Sequence, residues 1–297
     1  MIVTATERDL YKRCRRKWDY GSLNRQGLQR IVAPQALSLG TLVHESLEGW
    51  LQHPDTDILD HFYTASTQML EASKRNYADK IGLAISDEEL QPIYDSIDLG
   101  RYMVTNYANH WKAPLGSKFR LFSTEQKITV PIPNTEHLLE CKFDGIISDD
   151  KDRLYILEHK TYNSRPTDIS LRSNAQFLTY IWALTQMYDS SIVAGLAYDG
   201  IWKRPSPPKG KKLEDMFIRH LLIRAPEELE ENAHFLAMEV NEMANPELSI
   251  YVNRRWEGCY DCQYDILCLS QSRGEDIEYV RRTMFCLRER DEYDKED

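Results

Sequence analysis

Nowhere in its 297 residues does this chain carry an apolar run approaching the roughly 20 residues needed to cross a bilayer. The opening stretch, MIVTATERDLYKRC, has no apolar h-region of a secretory leader. The expected location is therefore the cytoplasm, or the interior of a host cell if the protein is viral, with no membrane as partner. In such a reducing compartment the six cysteines are expected to be thiols or metal ligands rather than disulfides. Positive charge is also scarce. Lys and Arg number 37 against 47 Asp and Glu, a formal net charge of −10, which runs against a generic nucleic-acid binder because phosphate contacts need cations. There is no internal repeat, and no G-x-x-x-x-G-K-[ST] phosphate loop, so no built-in NTP-driven motor of that kind is expected.

What is present is ordinary in bulk, 42% hydrophobic and 28% charged, as in a soluble globular protein. The charge is unevenly placed: Lys12, Arg13, Arg15, Arg16 and Lys17 are basic, as is Lys209 to Lys212, while Asp291–Asp297 is mostly acidic. Hydrophobic periodicity predicts helices over 4–20 (started by Thr6 with Asp9), 37–51 (stopped by Pro54), 57–79 and 87–111. The last should turn Ile93, Ile97, Tyr102 and Tyr107 inward. The period then changes to that of strands over 119–132, 136–149 and 152–161, with a hairpin at Asp149-Asp150-Lys151. A helix over 172–188, a strand over 191–199, a Pro- and Lys-rich loop over 204–212, a strand over 214–224 and a helix over 226–244 follow. A Cys-rich segment at 259–268 precedes a charged tail. This order reads as an α/β core inside helical additions. The expected partition is a single domain, with 1–115 helical, 116–225 the core, 226–275 a helix and Cys-rich segment, and 276–297 a tail.

The segment CKFDGIISDDKDRLYILEHKT carries the chemistry. Alternate residues of a strand share a face, so Glu158 and Lys160 project together and His159 points away. If the hairpin forms, Asp144 comes beside Glu158, giving two carboxylates and an ammonium within a few ångströms. Hard carboxylate oxygens suit Mg²⁺ or Mn²⁺, and such an ion with a lysine suits phosphodiester hydrolysis. A solvated charged strand face is the alternative. RLYILEHKT is otherwise apolar, however, and a Glu and Lys inside a buried strand need partners or a purpose.

Asp144 followed by Glu158-His159-Lys160 resembles the D…ExK signature of PD-(D/E)xK nucleases. GTLVHESLE at 40–48 is similar to the G-x-x-x-H helix of the RecB-type branch, and QFLTY at 176–180 to its Q-x-x-x-Y helix. The resemblance implies a restriction-endonuclease-like α/β core. It implies a metal held by His44, Asp144, Glu158 and the backbone carbonyl of His159, with Lys160 assisting the attacking water. Gln176 and Tyr180, four apart on one helical face, would complete the catalytic set. Glu125 resembles a glutamate common on the first core strand of the family. The implied activity is divalent-metal-dependent hydrolysis of DNA, as an exonuclease on ends or single strands. Lys12, Arg13, Arg15, Arg16, Tyr162, Arg165 and Lys203 are candidate DNA contacts. Partner proteins of the branch are helicases or recombination and CRISPR machinery; its settings are recombination, repair, CRISPR adaptation or virus replication. The rival reading is a module of the same fold that binds DNA or a partner with reduced catalysis.

Cys259, Cys262 and Cys268 form C-x₂-C-x₅-C, which needs a fourth ligand to close a zinc site or a cubane cluster. YKRCRRKWDY resembles the Y-x-x-C-P-R-K-[FY] helix of RecB-type nucleases with iron–sulfur clusters, as in AddB-type helicase–nucleases and four-cysteine CRISPR-associated exonucleases. That resemblance nominates Cys14 and implies a [4Fe-4S] cluster, with zinc as the other occupant. Arg15 stands where the family has proline, and no proline follows Cys268. Cys141 and Cys286 are expected to be small buried hydrophobes.

Overall fold

A computed structural model describes residues 1–32, 35–124, 126–254, 259 and 262–288. Strand β1 (Ile2–Thr4) leads into helix α1 (Ala5–Arg13), whose cap is Thr4 rather than Thr6, its hydroxyl accepting the Glu7 amide at 3.0 Å. The helix expected over 4–20 breaks at Cys14, which is extended, and resumes as α2 (Arg15–Gly21). Both helices stay satisfied across the break: the Cys14 amide donates to Leu10 and the Trp18 amide to Cys14. The bend folds Trp18, fully buried, edge-on against Tyr11 at 5.1 Å, with its indole N–H donated to Glu7. After β2 (Leu28–Arg30) come three long helices, α3 (Gln35–Gln52), α4 (Ile58–Ile81) and α5 (Asp87–Trp111). Leu39, Leu42, Val43, Leu47, Phe62, Met103, Val104 and Tyr107 knit them into one apolar cluster. No helix among the described residues is long and apolar enough to cross a membrane.

Most of the strands fall in two sheets. The larger has the order β3-β6-β7-β8-β9: Arg120–Ser123, Gly145–Ser148, Leu154–Tyr162, Val193–Trp202 and Phe217–Leu222. Only β7 and β8 run parallel, joined through α6 (Asp168–Arg172) and α7 (Ala175–Thr185). The smaller sheet has β5 (Leu138–Phe143) between β1 and β4 (Gln126–Pro131). Two of the three expected long strands are thus each cut in two. Residues 119–132 become β3 and β4, and 136–149 become β5 and β6, with the halves in different sheets. The second cut falls at Asp144, where the chain passes from one sheet to the other. Gly145 permits it: a Cβ there would lie 3.3 Å from both the Leu51 side chain and the Ser123 carbonyl. The hairpin over Asp149–Lys151 forms as expected, β6 pairing antiparallel with β7.

Helix α8 (Pro226–Met243) packs on α7 through Leu229, Ala233, Leu236 and Val240. It is followed by α9 (Asp265–Arg273), which contains Cys268. The segment expected as a tail from 276 is structured as far as described. Asp276 caps α10 (Ile277–Met284) by accepting the Tyr279 amide at 3.0 Å, and β10 (Phe285–Leu287) pairs antiparallel with β2. Phe285, buried against Tyr264 with ring centroids 5.8 Å apart, is the apolar anchor that the charged composition hid. The acidic stretch 291–297 lies outside the described residues.

Candidate active site

The expected pairing of Asp144 with the ExK strand is realised, by a different route. Register Gly145↔Leu157 places position 144 level with Glu158 and His159. Asp144 is not in a strand, and one of its carboxylate oxygens accepts the His159 amide at 2.7 Å. Its other oxygen faces Nδ1 of His44 at 3.4 Å, which α3 presents from the helical layer. Burial alone would raise the Asp144 carboxyl. His44 and the His159 amide outweigh it and hold the group well below the usual carboxylate range. The same contact acts in reverse on His44, whose burial is outweighed by the Asp144 carboxylate, so its imidazole is more basic than usual.

Glu158 is 3% exposed, and its oxygen lies 2.5 Å from the Lys160 ammonium. Burial, with help from the charge on Asp144, pushes its carboxyl up to about 7 even so; Lys160 and His44 oppose the rise. Lys160 is itself raised, because Glu158 overcomes the cost of burying its charge, and Asp9 of α1 adds to the effect. Gln176 and Tyr180 stand one helical turn apart on α7, the amide of Gln176 donating to the Tyr180 hydroxyl at 3.0 Å. Burial and the Glu158 charge raise the Tyr180 phenol, which packs edge-on against Phe143. Gln176 also reaches Thr6 of α1 at 3.4 Å.

Two carboxylates, Asp144 and Glu158, meet here with Lys160 and the ring of His44, and carboxylate oxygens with an imidazole suit a divalent cation. Asp144, Glu158 and His44 are the donors on hand, with the His159 carbonyl next to them in the chain. Among the described residues, no three His, Cys, Asp or Glu side chains stand together in the arrangement of a metal site. The described contacts are pairwise, His44 to Asp144 and Glu158 to Lys160, so binding an ion would require these pairs to open. Glu125 lies outside the described residues.

The other face of β7 holds a network that residue patterns did not reveal. Asp199 of β8 is fully buried, and one of its oxygens accepts from the Tyr107 hydroxyl and, at 2.5 Å, from Arg219 of β9. Arg219 also donates to the Tyr107 hydroxyl at 3.1 Å, to the carbonyls of Pro114 and Leu115, and lies 4.1 Å from the centre of the Trp111 ring. The His159 ring packs edge-on against both Tyr107 and His44, its Nδ1 3.6 Å from Asp199, and burial lowers its basicity. The available signal was an aspartate closing the apolar strand SIVAGLAYD, where a charge needs a partner.

The expected DNA contacts are dispersed. Lys12 pairs with Glu239 at 3.1 Å and Arg15 with Glu242, so α8 neutralises part of the basic helix. Arg13 is exposed and pairs with Asp9, while Arg16 reaches Ser272 and the Cys268 sulfur. Tyr162 is 8% exposed, buried under Trp202. Arg165 is exposed, and Lys203 is half-buried. Of the cysteines, Cys14 accepts the Asn253 amide at 3.5 Å. The Cys262 thiol is raised by burial, and Cys14 and Cys268 both add to the rise. Cys259 is exposed, between segments outside the described residues. Among the described residues these thiols do not form a metal-binding group. Cys141 is buried as expected, whereas Cys286 is only half-buried in β10.

A family model described as PD-(D/E)XK nuclease superfamily matches residues 3–269. No curated protein matches the chain. Among solved structures, the crystal structure of SSO0001 is similar at a TM-score of 0.38 and 14% identity, over 90% of this chain and 85% of that one.

The buried Asp199–Arg219 pair yields a stability test. Asp199→Ala leaves the guanidinium buried without its carboxylate and should cost about 3–5 kcal/mol in urea unfolding. The double variant Asp199→Leu/Arg219→Met should recover most of that loss. A single variant no less stable than the double would show that the pair is not desolvated as described.

Proposed function

The chain belongs to the PD-(D/E)XK nuclease superfamily, and within it we propose a RecB-type, divalent-metal-dependent DNA nuclease that acts as an exonuclease on ends or single strands. The observation that carries the reading is the buried Glu158, paired with Lys160 on one strand face, with half-buried Asp144 beside it and facing His44. His44, Asp144, Glu158 and the His159 carbonyl would hold Mg²⁺ or Mn²⁺, which supplies charge neutralisation at the phosphate and a more acidic water.

The remaining steps belong to the chain's own groups. The His159 amide fixes the Asp144 carboxylate, and Asp144 in turn orients the His44 ring. Lys160, kept protonated by Glu158, places a positive charge where negative charge builds on the phosphate during attack. Tyr180, tied to Gln176, stands close enough to Glu158 to sense its charge and positions the substrate or Lys160.

With Mn²⁺ or Mg²⁺, the wild type should shorten end-labelled single-stranded DNA, and Lys160→Ala should lower the rate by about 10²-fold or more at unchanged folding. Equal inertness of both proteins on every DNA and RNA substrate would favour the rival reading, a binding module of the same fold. The pH dependence of metal binding has a definite sign. A Glu158 carboxyl pushed up to about 7 keeps its proton below that pH, so metal must displace the proton there. Mn²⁺ affinity, read by calorimetry, should therefore fall as pH drops from 8 to 6. In the metal-free protein Glu158 holds a proton between its ordinary 4.5 and about 7 that the unfolded chain has lost. Its contribution to stability therefore declines as pH rises through that window. An affinity indifferent to pH would remove Glu158 from the ligand set.

For the cysteines we propose a [4Fe-4S] cluster on Cys14, Cys259, Cys262 and Cys268, with zinc as the alternative. Its support is the C-x₂-C-x₅-C spacing and the contact of Arg16, two residues after Cys14, with the Cys268 sulfur at 3.9 Å. Anaerobic purification should give a brown protein with about four irons per chain. A colourless protein with stoichiometric zinc would assign the site to zinc instead.

A further inference from the structure

The catalytic strand does not end at Lys160. Tyr162, two residues on, shares its face of β7 about 7 Å away. In the parallel register Trp202 of β8 stands beside Tyr162, and Gly200 beside Lys160. Gly200 lets the Tyr162 ring lie flat on the sheet, since a Cβ there would come within 3.0 Å of it. Trp202 stacks on Tyr162 with centroids 6.1 Å apart and planes 25° apart, and its indole N–H donates to the Asn163 carbonyl at 2.8 Å. The guanidinium of exposed Arg204 lies 4.9 Å from the centre of the Trp202 ring. Beyond it, residues 203–212 carry Lys203, Arg204, Lys209, Lys211 and Lys212 with no acid among them. That concentration of charge is conspicuous on a chain of net −10, and Lys209 and Lys211 are exposed.

We propose that the Tyr162–Trp202–Arg204 stack and the basic loop after it form a docking surface for single-stranded DNA flanking the reactive phosphate. The proposal rests on the nuclease reading for its substrate. An aromatic plane beside cations holds unpaired bases regardless of sequence, because every base offers a π-face while the phosphates meet the lysines. A duplex keeps its base faces stacked inside and cannot use such a plane. In the free protein Arg204 covers the ring. An arriving base takes its place on Trp202, and the released guanidinium turns to a phosphate. Pro205, Pro207 and Pro208 stiffen the loop and lower the entropy lost when its lysines engage.

The test is binding in EDTA, where nothing is cleaved, read by fluorescence anisotropy of labelled oligothymidylate and of a blunt hairpin duplex. Trp202→Ala should weaken oligothymidylate binding about tenfold or more, whereas Trp202→Phe, which keeps a ring, should retain most of it. Hairpin affinity should change little in either variant. Lys209→Ala/Lys211→Ala, at exposed positions that do not threaten the fold, should flatten the log–log salt dependence for oligothymidylate by about 1.4. Wild-type affinity in Trp202→Ala with an unchanged salt slope in the lysine variant would overturn the proposal. Equal losses on hairpin and single strand, or a preference for oligouridylate, would overturn it too. Lost binding in Trp202→Ala upholds the surface even if the wild type cleaves nothing. Cleavage by the wild type alongside unchanged binding overturns the surface alone.

Discussion

The contact between the Asp144 carboxylate and the His159 amide fixes the geometry around which the rest of the site is arranged. It lies where the chain leaves the small sheet and enters the large one, and it takes up an amide on the strand that carries Glu158 and Lys160. Two sheets, a helical layer and the reactive strand therefore meet at one carboxylate, whose second oxygen faces the histidine of α3. An aspartate suits this position because its short side chain accepts two partners without disturbing the backbone that must turn there.

Around that contact the protein separates charge by strand pleat. One face of β7 shows Glu158 and Lys160 toward Asp144 and Tyr180. The opposite face shows His159 toward Asp199, Arg219 and Tyr107. Each face carries its own buried carboxylate and its own cation, and His159 belongs to both, through its amide on one side and its ring on the other. The second network is matched internally, Asp199 with Arg219, whereas the first sets Asp144 and Glu158 against Lys160 and the titratable ring of His44. That asymmetry separates a structural ion pair from a cluster of groups with perturbed titration.

The N-terminal helix is built into this arrangement rather than appended to it. Arg8, 1% exposed, donates to Thr179 of α7 and Asn232 of α8 at 2.7 Å each and pairs with Glu239. Thr6 meets Gln176, and Asp9 acts on Lys160. The helix that ends at Cys14 is thereby locked to the helix that carries Gln176 and Tyr180. Cys14 and the candidate active site thus share α1 as a neighbour.

Local pattern determined a good deal of this protein. Periodicity located the long helices, almost to the residue for α5. The alternation in YILEHKT put Glu158 and Lys160 on one face, and the polar Asp149–Lys151 turn dictated the hairpin. These succeed because helix and strand periods are properties of neighbouring residues. The end of β3 at Ser123, the strand break at Asp144, the kink at Cys14 and the pairing of β2 with β10 were not legible. Three of them are tied to tertiary contacts: the His159 amide for Asp144, the packing of Trp18 on Tyr11 for the kink, and Phe285 against Tyr264 for the C-terminal strand. The partners of Asp199, the neutralisation of Lys12 and Arg15 by α8, and the seating of Trp202 on Tyr162 have the same origin. The sequence by itself determined which chemical groups are available and which local faces they share. Only the tertiary structure decided which charges meet, because burial and pairing depend on distances between segments that local periodicity does not specify.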